Sequence, residues 1–186
     1  MKVYSRKLVA QNLLFNIFFD HVQDDFGNEV KEYLVVSPKN SEPNMVTGCA
    51  ILPIFNNQVG LIYIERPAIR NFSWEIPHGF IDPGETQESS AQRELLEETG
   101  LKVDISQFIS LGYITPDSGV LAGRVQLFAA EGKSFSVPTV SELGLTKFKF
   151  FDFSEFERMI LCSEIQDTFT IAAWFKYRQF KGVAAF

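Results

Sequence analysis

Apolar and polar positions divide the chain into strands first and helices later. Residues 3–36 read as strands. Leu13–Val22 and Val30–Val36 are apolar, β-branched or aromatic runs, and Asp24-Asp25-Phe26-Gly27-Asn28 between them carries turn chemistry. This pattern predicts a β-hairpin near the N-terminus. Pro38–Pro43, with Lys, Asn, Ser and Glu between the prolines, has the composition of a linker. Val46–Phe55 and Val59–Ile64 flank Asn56-Asn57 and predict a second hairpin, followed by an irregular Glu65–Ser73 around Pro67. The period then changes. Thr86 is placed to cap a helix about four turns long, Ala91, Leu95 and Leu96 form its apolar stripe, and Gly100 sits just past its end. Strand-like runs return at Phe108–Ile114, Val125–Ala130 and Phe148–Phe153. Ser154 and Glu157 have capping-box spacing before Met159-Ile160-Leu161, and Phe169, Ala172, Ala173 and Phe175 mark a last helix around Thr168–Phe180. Strands, helix, strands, helices in that order predict a mixed α/β sandwich of the α+β kind, without regular βαβ alternation.

Composition narrows the partners. The 186 residues are 46% hydrophobic, so the chain can bury one sizeable core with an appendage. Nineteen Phe favour well-filled cores and a hydrophobic contact between copies. The net charge of −6 gives no general attraction for nucleic acid or an anionic membrane. A polyanionic substrate would therefore need metal ions or a few placed arginines. Cys49 and Cys162 are too few for a disulfide framework and lack zinc-ligand spacing, which predicts two reduced, structural thiols. The apolar run Leu13–Phe19 is broken by Asn16, ends at Asp20 and has no small-residue cleavage site, so no signal peptide is read and a cytoplasmic location is expected.

The chemistry lies between Gly79 and Leu101. On a helix Glu94, Glu97 and Glu98 are three or four residues apart and share one face. Like charges there repel by tenths of a kcal/mol per pair when solvated, and by more when buried. A cluster of this kind beside an apolar stripe calls for a cation. Carboxylate oxygens completed by waters and phosphates are the environment Mg²⁺ prefers. Arg93 lies beside them and can orient a carboxylate by a bidentate pair. Gly79, Pro83 and Gly84 suit a tight loop approaching a ligand.

This stretch resembles the signature of the Nudix hydrolases at every specified position: Gly79, five residues, Glu85, seven residues, then Arg93-Glu94-Leu95, any residue, Glu97-Glu98, any residue, Gly100-Leu101. The resemblance implies a Nudix-type α/β/α sandwich with a mixed sheet, and hydrolysis of a nucleoside diphosphate linked to another moiety with Mg²⁺ or Mn²⁺. It implies Glu94 and Glu98 as primary metal ligands, Glu97 as a shared ligand with a part in catalysis, and the His78 backbone carbonyl as a further ligand. Glu85 and Arg93 would hold loop and helix together, with Arg93 in the catalytic group.

Outside the box the chain is similar to the ADP-ribose and nucleoside-diphosphate-sugar pyrophosphatases. Trp74-Glu75-Ile76-Pro77-His78-Gly79 parallels that subgroup's Trp-Glu-Leu-Pro-Ala-Gly, with His78 in place of alanine. Leu61–Arg66 parallels a strand ending in Gln-Tyr-Arg, which implies that Arg66 contacts substrate phosphates, with Arg70 as a second substrate-binding candidate. Pro116, in Thr115-Pro116-Asp117-Ser118-Gly119, lies where a downstream proline accompanies ADP-ribose specificity. The subgroup also implies an N-terminal antiparallel β subdomain, residues 1–45, exchanged across a two-fold homodimer ahead of a Nudix domain at 46–186. A catalytic glutamate on a late loop falls on Glu142, with Glu131 second. The expected reaction gives a nucleoside monophosphate and a sugar phosphate. Hydrolysis of dinucleotides, NADH or oxidised nucleotides is the alternative among enzymes. A degenerate nucleotide-binding regulator is the alternative outside them, opposed by the intact box and the absence of a basic patch.

Overall fold

The computed structural model of the chain describes residues 1–39, 44–132, 134–135 (backbone) and 143–182. In chain order the strands are β1 Lys2–Gln11, β2 Phe15–Gln23, β3 Glu29–Pro38, β4 Val46–Phe55, β5 Gln58–Arg66, β6 Asn71–Glu75 and β7 His78–Phe80. Helix α1 spans Gln87–Thr99, and β8 Leu101–Lys102, β9 Phe108–Ile114, β10 Arg124–Glu131, β11 Ser134–Phe135 and β12 Leu145–Asp152 follow it. The last elements are α2 Phe153–Leu161 and α3 Thr168–Phe180. Contacts divide these elements between two compact units, Met1–Thr47 with Thr115–Arg124, and Gly48–Ile114 with Val125–Phe186.

The first unit is built on an antiparallel sheet in the order β1-β2-β3. Asp24 makes the β2–β3 turn, its Oδ1 accepting from the backbone N–H of Phe26 and Asn28 at 2.9 Å each. The hairpin expected here is therefore present, but as two strands of three. β1 was missed as a separate partner because Lys2–Gln11 is exposed along its whole length and shows no one-sided apolar alternation. It is held by β2: Arg6 donates from Nε and Nη2 to the buried Asp20 at 2.8 and 2.6 Å and covers the Phe18 ring. The 115–124 segment joins β3, with Val36 N–H donating to Val120 O at 2.8 Å and Ala122 N–H to Val36 O at 2.9 Å. Most of the expected linker Pro38–Pro43 lies outside the described residues.

The second unit is a seven-stranded mixed sheet with the path β12-β5-β4-β10-β9, β6 added to β5 and β7 to β4. Alternation along the central strands sends side chains to two separate cores. Ala50, Leu52 and Ile54 of β4 with Leu127 and Ala129 of β10 pack with Phe156, Met159, Ala173, Trp174 and Tyr177 of α2 and α3. Cys49, Ile51, Phe128 and Ala130 pack with Ala91 and Leu95 of α1. One helix on one face and two on the other make the expected α/β/α sandwich, with the N-terminal antiparallel sheet as a separate element.

Local chemistry sets the ends of α1. Thr86 caps it, Oγ1 accepting from Ser89 N–H at 3.1 Å while Ser89 Oγ accepts from Thr86 N–H at 2.9 Å. Gly100 closes it in the left-handed region at φ 70°, donating to Leu96 O at 2.9 Å. Three expectations need correction. Glu65–Ser73 is irregular only over the Pro67–Arg70 turn, after which β6 pairs back along β5 from Asn71↔Arg66 to Glu75↔Ile62. The Ser154–Glu157 capping box does not form, because α2 leaves β12 directly with Asp152 as its first cap. Ser154 is then inside the helix, and Glu157 faces Arg178 of α3 at 3.3 Å. β12 begins three residues early, at Leu145, since pairing with β5 is backbone chemistry that tolerates its polar Thr146 and Lys147.

Cys49 is buried and Cys162 exposed, both free, and burial pushes the Cys49 thiol up to about 12, away from reactive thiolate chemistry. Among the described residues no helix is long and apolar enough to cross a membrane. The α2–α3 core depends on Phe156, fully buried with its ring edge-on to Trp174 at 5.0 Å. Phe156→Ala is expected to lower the unfolding free energy by about 3–5 kcal/mol in urea titration, and a loss below ~1 kcal/mol would show that α2 is not packed as described.

Candidate functional site

Arg93 organises the site. Its Nε and Nη2 donate to Glu85 Oε1 and Oε2 at 2.9 and 3.0 Å, a bidentate pair that ties the loop before α1 to the helix. Nη1 donates to Glu94 Oε1 at 2.8 Å and to Glu97 Oε2 at 3.4 Å, and Nη2 reaches Phe80 O at 3.3 Å. Asp82 Oδ2 lies 3.7 Å from Nη2, so one guanidinium lies among four carboxylates and a carbonyl, and Glu85 with Glu94 raises its pKa. Ser90, buried on the same helix, donates from Oγ to Phe80 O at 3.2 Å and fastens the loop a second time.

The glycine that opens the loop is required by close approach. A Cβ at Gly79 would lie 2.1 Å from Glu94 Oε1. The Glu94 carboxylate therefore rests against the backbone of β7, directly beside His78. Glu98, one turn beyond Glu94, is only 4% exposed, whereas Glu97 is a third exposed. Three acidic side chains of α1 are thus graded from buried to half-open, next to a strand whose backbone can contribute carbonyl oxygens.

These residues fit a hard divalent cation. The donors are carboxylate and backbone oxygens, and the groove at Gly79 that holds Glu94 would be filled by any larger residue. Among the described residues no three acidic, imidazole or thiol groups already converge on one point. Arg93 Nη1 donates to both Glu94 and Glu97 and so lies between their carboxylates. Mg²⁺ is commonly held by one or two carboxylates with waters and substrate phosphates, so a complete protein cage is not required.

A second group stands beside the first. Arg66, at the end of β5, donates from Nη2 and Nε to Glu75 Oε2 at 2.7 and 3.1 Å, and its Nη2 lies 3.0 Å from His78 Nε2. Glu75 is 8% exposed at its side chain. Helix α3 supports this group from behind. The buried Thr170 Oγ1 accepts from Ile76 N–H at 2.9 Å, and Phe169 meets the His78 ring at 5.2 Å.

The structure brings together Arg93, Glu94, Glu97, Glu98, His78 and, through His78, Arg66. It does not bring in every candidate. Arg70 is exposed in the β5–β6 turn at φ 54°. Pro116 belongs to the other compact unit. Glu142 lies outside the described residues. Glu131 turns toward α3, where Lys181 Nζ lies at 2.6 Å and Tyr177 donates to it at 3.2 Å. Glu75, Phe169 and Thr170 were not singled out from the sequence. Glu75 sits in the motif before the box and could have been noticed there, but Phe169 and Thr170 reach the site only through packing.

The class of protein follows from this sandwich and its acidic helix. The family model described as NUDIX domain matches residues 45–161, more than half of the chain, and the chain belongs to the Nudix family. An RNA pyrophosphohydrolase of Erythrobacter litoralis (strain HTCC2594) is 45% identical over 56 residues, 29% of this chain and 34% of that protein. An ADP-sugar pyrophosphatase of Mus musculus is 45% identical over 42 residues, 23% of this chain and 19% of that protein. The chain thus spans about a third or less of the length of these curated relatives. A solved structure described as "Crystal structure of ADP compounds hydrolase" superposes with a TM-score of 0.78, covering 98% of this chain and 96% of that one at 16% identity, a likeness of fold.

The Arg93 pair carries a pH signature. Its hydrogen bonds hold the Glu85 carboxyl at about 2, below its ordinary 4.5. A depressed carboxylate contributes stability that is complete above about pH 4.5 and lost as pH falls toward about 2. The difference in urea stability between wild type and Glu85→Gln is therefore expected to shrink between about pH 6 and about pH 3. A difference that stays constant over that range would show that the pair is not formed in solution.

Proposed function

We propose that this chain is a divalent-cation-dependent pyrophosphohydrolase that cleaves the diphosphate bond of ADP-ribose or a related nucleoside-diphosphate sugar, releasing a nucleoside monophosphate and a sugar phosphate. The observation that carries the proposal is the α1 face itself: Glu94 seated against Gly79, Glu98 buried one turn on, and Arg93 clamped to Glu85 beside them. In this reading Glu94 and Glu98 hold Mg²⁺ or Mn²⁺, Glu97 shares in it, and the His78 carbonyl is a further ligand. A bound cation would neutralise phosphate oxygens and lower the pKa of an attacking water. The chain's own residues do the rest. Arg93 fixes the loop and keeps Glu94 and Glu97 in register, while Arg66 supplies a phosphate-binding cation that the net charge of −6 does not provide elsewhere. Arg70 and Pro116 remain the substrate-contact candidates outside this group, and Glu142 the candidate general base.

Support for an ADP-linked substrate comes from the short match to the mouse ADP-sugar pyrophosphatase and from the shared fold with the ADP compounds hydrolase over nearly the whole chain, N-terminal sheet included. The match to an RNA pyrophosphohydrolase favours an RNA 5′ end as a second reading. The acidic surface weighs against it, because an RNA body would meet repulsion. A panel of ADP-ribose, other nucleotide sugars, dinucleotides, NADH, oxidised nucleoside triphosphates and 5′-triphosphate RNA, with products identified by mass, decides between these. Preferred cleavage of RNA or of triphosphates would overturn the nucleotide-sugar assignment.

The domain and assembly readings are proposals of the same kind: residues 1–45 as a dimerisation subdomain, 46–186 as the hydrolase domain. Supporting them, Val3, Tyr4, Leu8 and Val9 are exposed on β1, an edge strand of the first sheet, a surface that calls for a partner. Light scattering at micromolar concentration is expected to give the mass of two chains, and a fully active monomer would count against the dimer.

Turnover should vanish in excess EDTA and return with Mg²⁺ or Mn²⁺. Glu98→Gln keeps size and helix propensity but removes a charge, so kcat should fall roughly 10²- to 10⁴-fold with a smaller change in KM. Glu88→Gln, an exposed first-turn residue outside the box, should change little. Paired kinetics of both variants check this, and equal damage at Glu88 would mean that the assigned ligand face is wrong.

A further inference from the structure

The Arg66 guanidinium is held from two sides by groups of different charge. Glu75 accepts from Nε and Nη2, while Nη2 also lies 3.0 Å from His78 Nε2. His78 Nδ1 lies 2.9 Å from the backbone carbonyl of Ile76. A carbonyl only accepts, so the proton sits on Nδ1, and Nε2 presents its lone pair to Arg66. The bonds to Glu75 and His78 together set the plane of the fork. The imidazole is itself held: Phe169 packs edge-on to the ring, and Thr170 beside it binds the Ile76 N–H. A second carboxylate in place of His78 would cancel the cation and repel a phosphate. The imidazole nitrogen takes an N–H without adding negative charge.

We infer that the His78 side chain is a positioning residue for Arg66, a neutral acceptor that together with Glu75 fixes the guanidinium for a substrate phosphate. This rests on the pyrophosphohydrolase reading above and assigns the imidazole a task separate from that of its backbone carbonyl. It also has a geometric rationale. His78 and Gly79 are adjacent in β7, so one short strand positions both the arginine and, through Gly79, the Glu94 carboxylate. The cation for one phosphate and the acidic face then keep a constant spacing.

The test is a double-mutant cycle read by calorimetric binding of α,β-methylene-ADP, which cannot be hydrolysed, in Mg²⁺, with steady-state kinetics alongside. His78→Ala should weaken binding roughly tenfold and raise KM more than it lowers kcat. His78→Gln, whose amide oxygen can still accept from Arg66, should recover most of the loss. In an Arg66→Ala background His78→Ala should have almost no further effect. Equal effects in both backgrounds would overturn the inference, as would a Gln variant no better than Ala. If His78→Ala does not fold, the same coupling is read from His78→Leu, which fills the space without an acceptor, against Arg66→Ala, and additivity there overturns it. A wild type that neither binds the analogue nor cleaves any diphosphate in the panel removes the functional reading and this inference with it. A wild type that binds but shows additive effects removes only the inference.

Discussion

The structure of the site depends on one electrostatic constraint. Glu85, Glu94, Glu97 and Glu98 crowd the end of one loop and one helix face, and their mutual repulsion has to be offset before any substrate arrives. Arg93 does so by bonding Glu85 through two nitrogens while its third nitrogen reaches Glu94 and Glu97. Everything nearby follows from that arrangement. Gly79 must lack a side chain because Glu94 is drawn onto its backbone, and the loop from Phe80 to Glu85 must turn tightly enough to return Glu85 to the helix.

The same constraint explains why α1 looks a poor helix by amphipathicity. It buries Ser90, Glu98 and Thr99 as well as Ala91 and Leu95, so its inward face is half polar. Those polar groups are not packing errors. Ser90 binds the Phe80 carbonyl, and Thr99 donates to Leu95 O at 2.5 Å and accepts from Leu101 N–H at 3.1 Å, closing the helix end onto β8. A helix that carries chemistry on a buried face gives up apolar contact there. The opposite side of the sheet carries an apolar core with Phe156 and Trp174 packed edge-on.

Placement on the sheet also separates the tasks of neighbouring residues. Successive residues of β7 belong to different groups: His78 faces Arg66 and Phe169, while Gly79 faces Glu94. Period-two alternation thereby lets a three-residue strand serve a phosphate-binding cation and an acidic helix at once. Helix α3, distant in sequence, holds Ile76 just ahead of this strand through Thr170 and so couples the α2–α3 core to the site.

Much of this was legible in the residues. The α1 caps at Thr86 and Gly100 and the shared face of Glu94, Glu97 and Glu98 follow from local rules, because helical spacing and capping involve residues within four positions of one another. The central strands could be read because their apolar runs are buried on both faces. The separate pairing of β1, and β6 and β7 as strands, could not, since short or exposed strands are defined by the partner that completes their hydrogen bonds and not by their own pattern. The failed cap at Ser154 has the same origin: β12 pairing determines where α2 begins. Nor could the sequence decide that Glu75, His78 and Arg66 form one group, since Arg66 lies opposite Asn71 and Glu75 opposite Ile62, and only the folded side chains bridge that offset. The sequence alone determined which residues carry charge and at what helical spacing. Only the tertiary structure decided which of those charges meet, because contact between residues far apart in the chain depends on strand register and the packing of helices across a sheet.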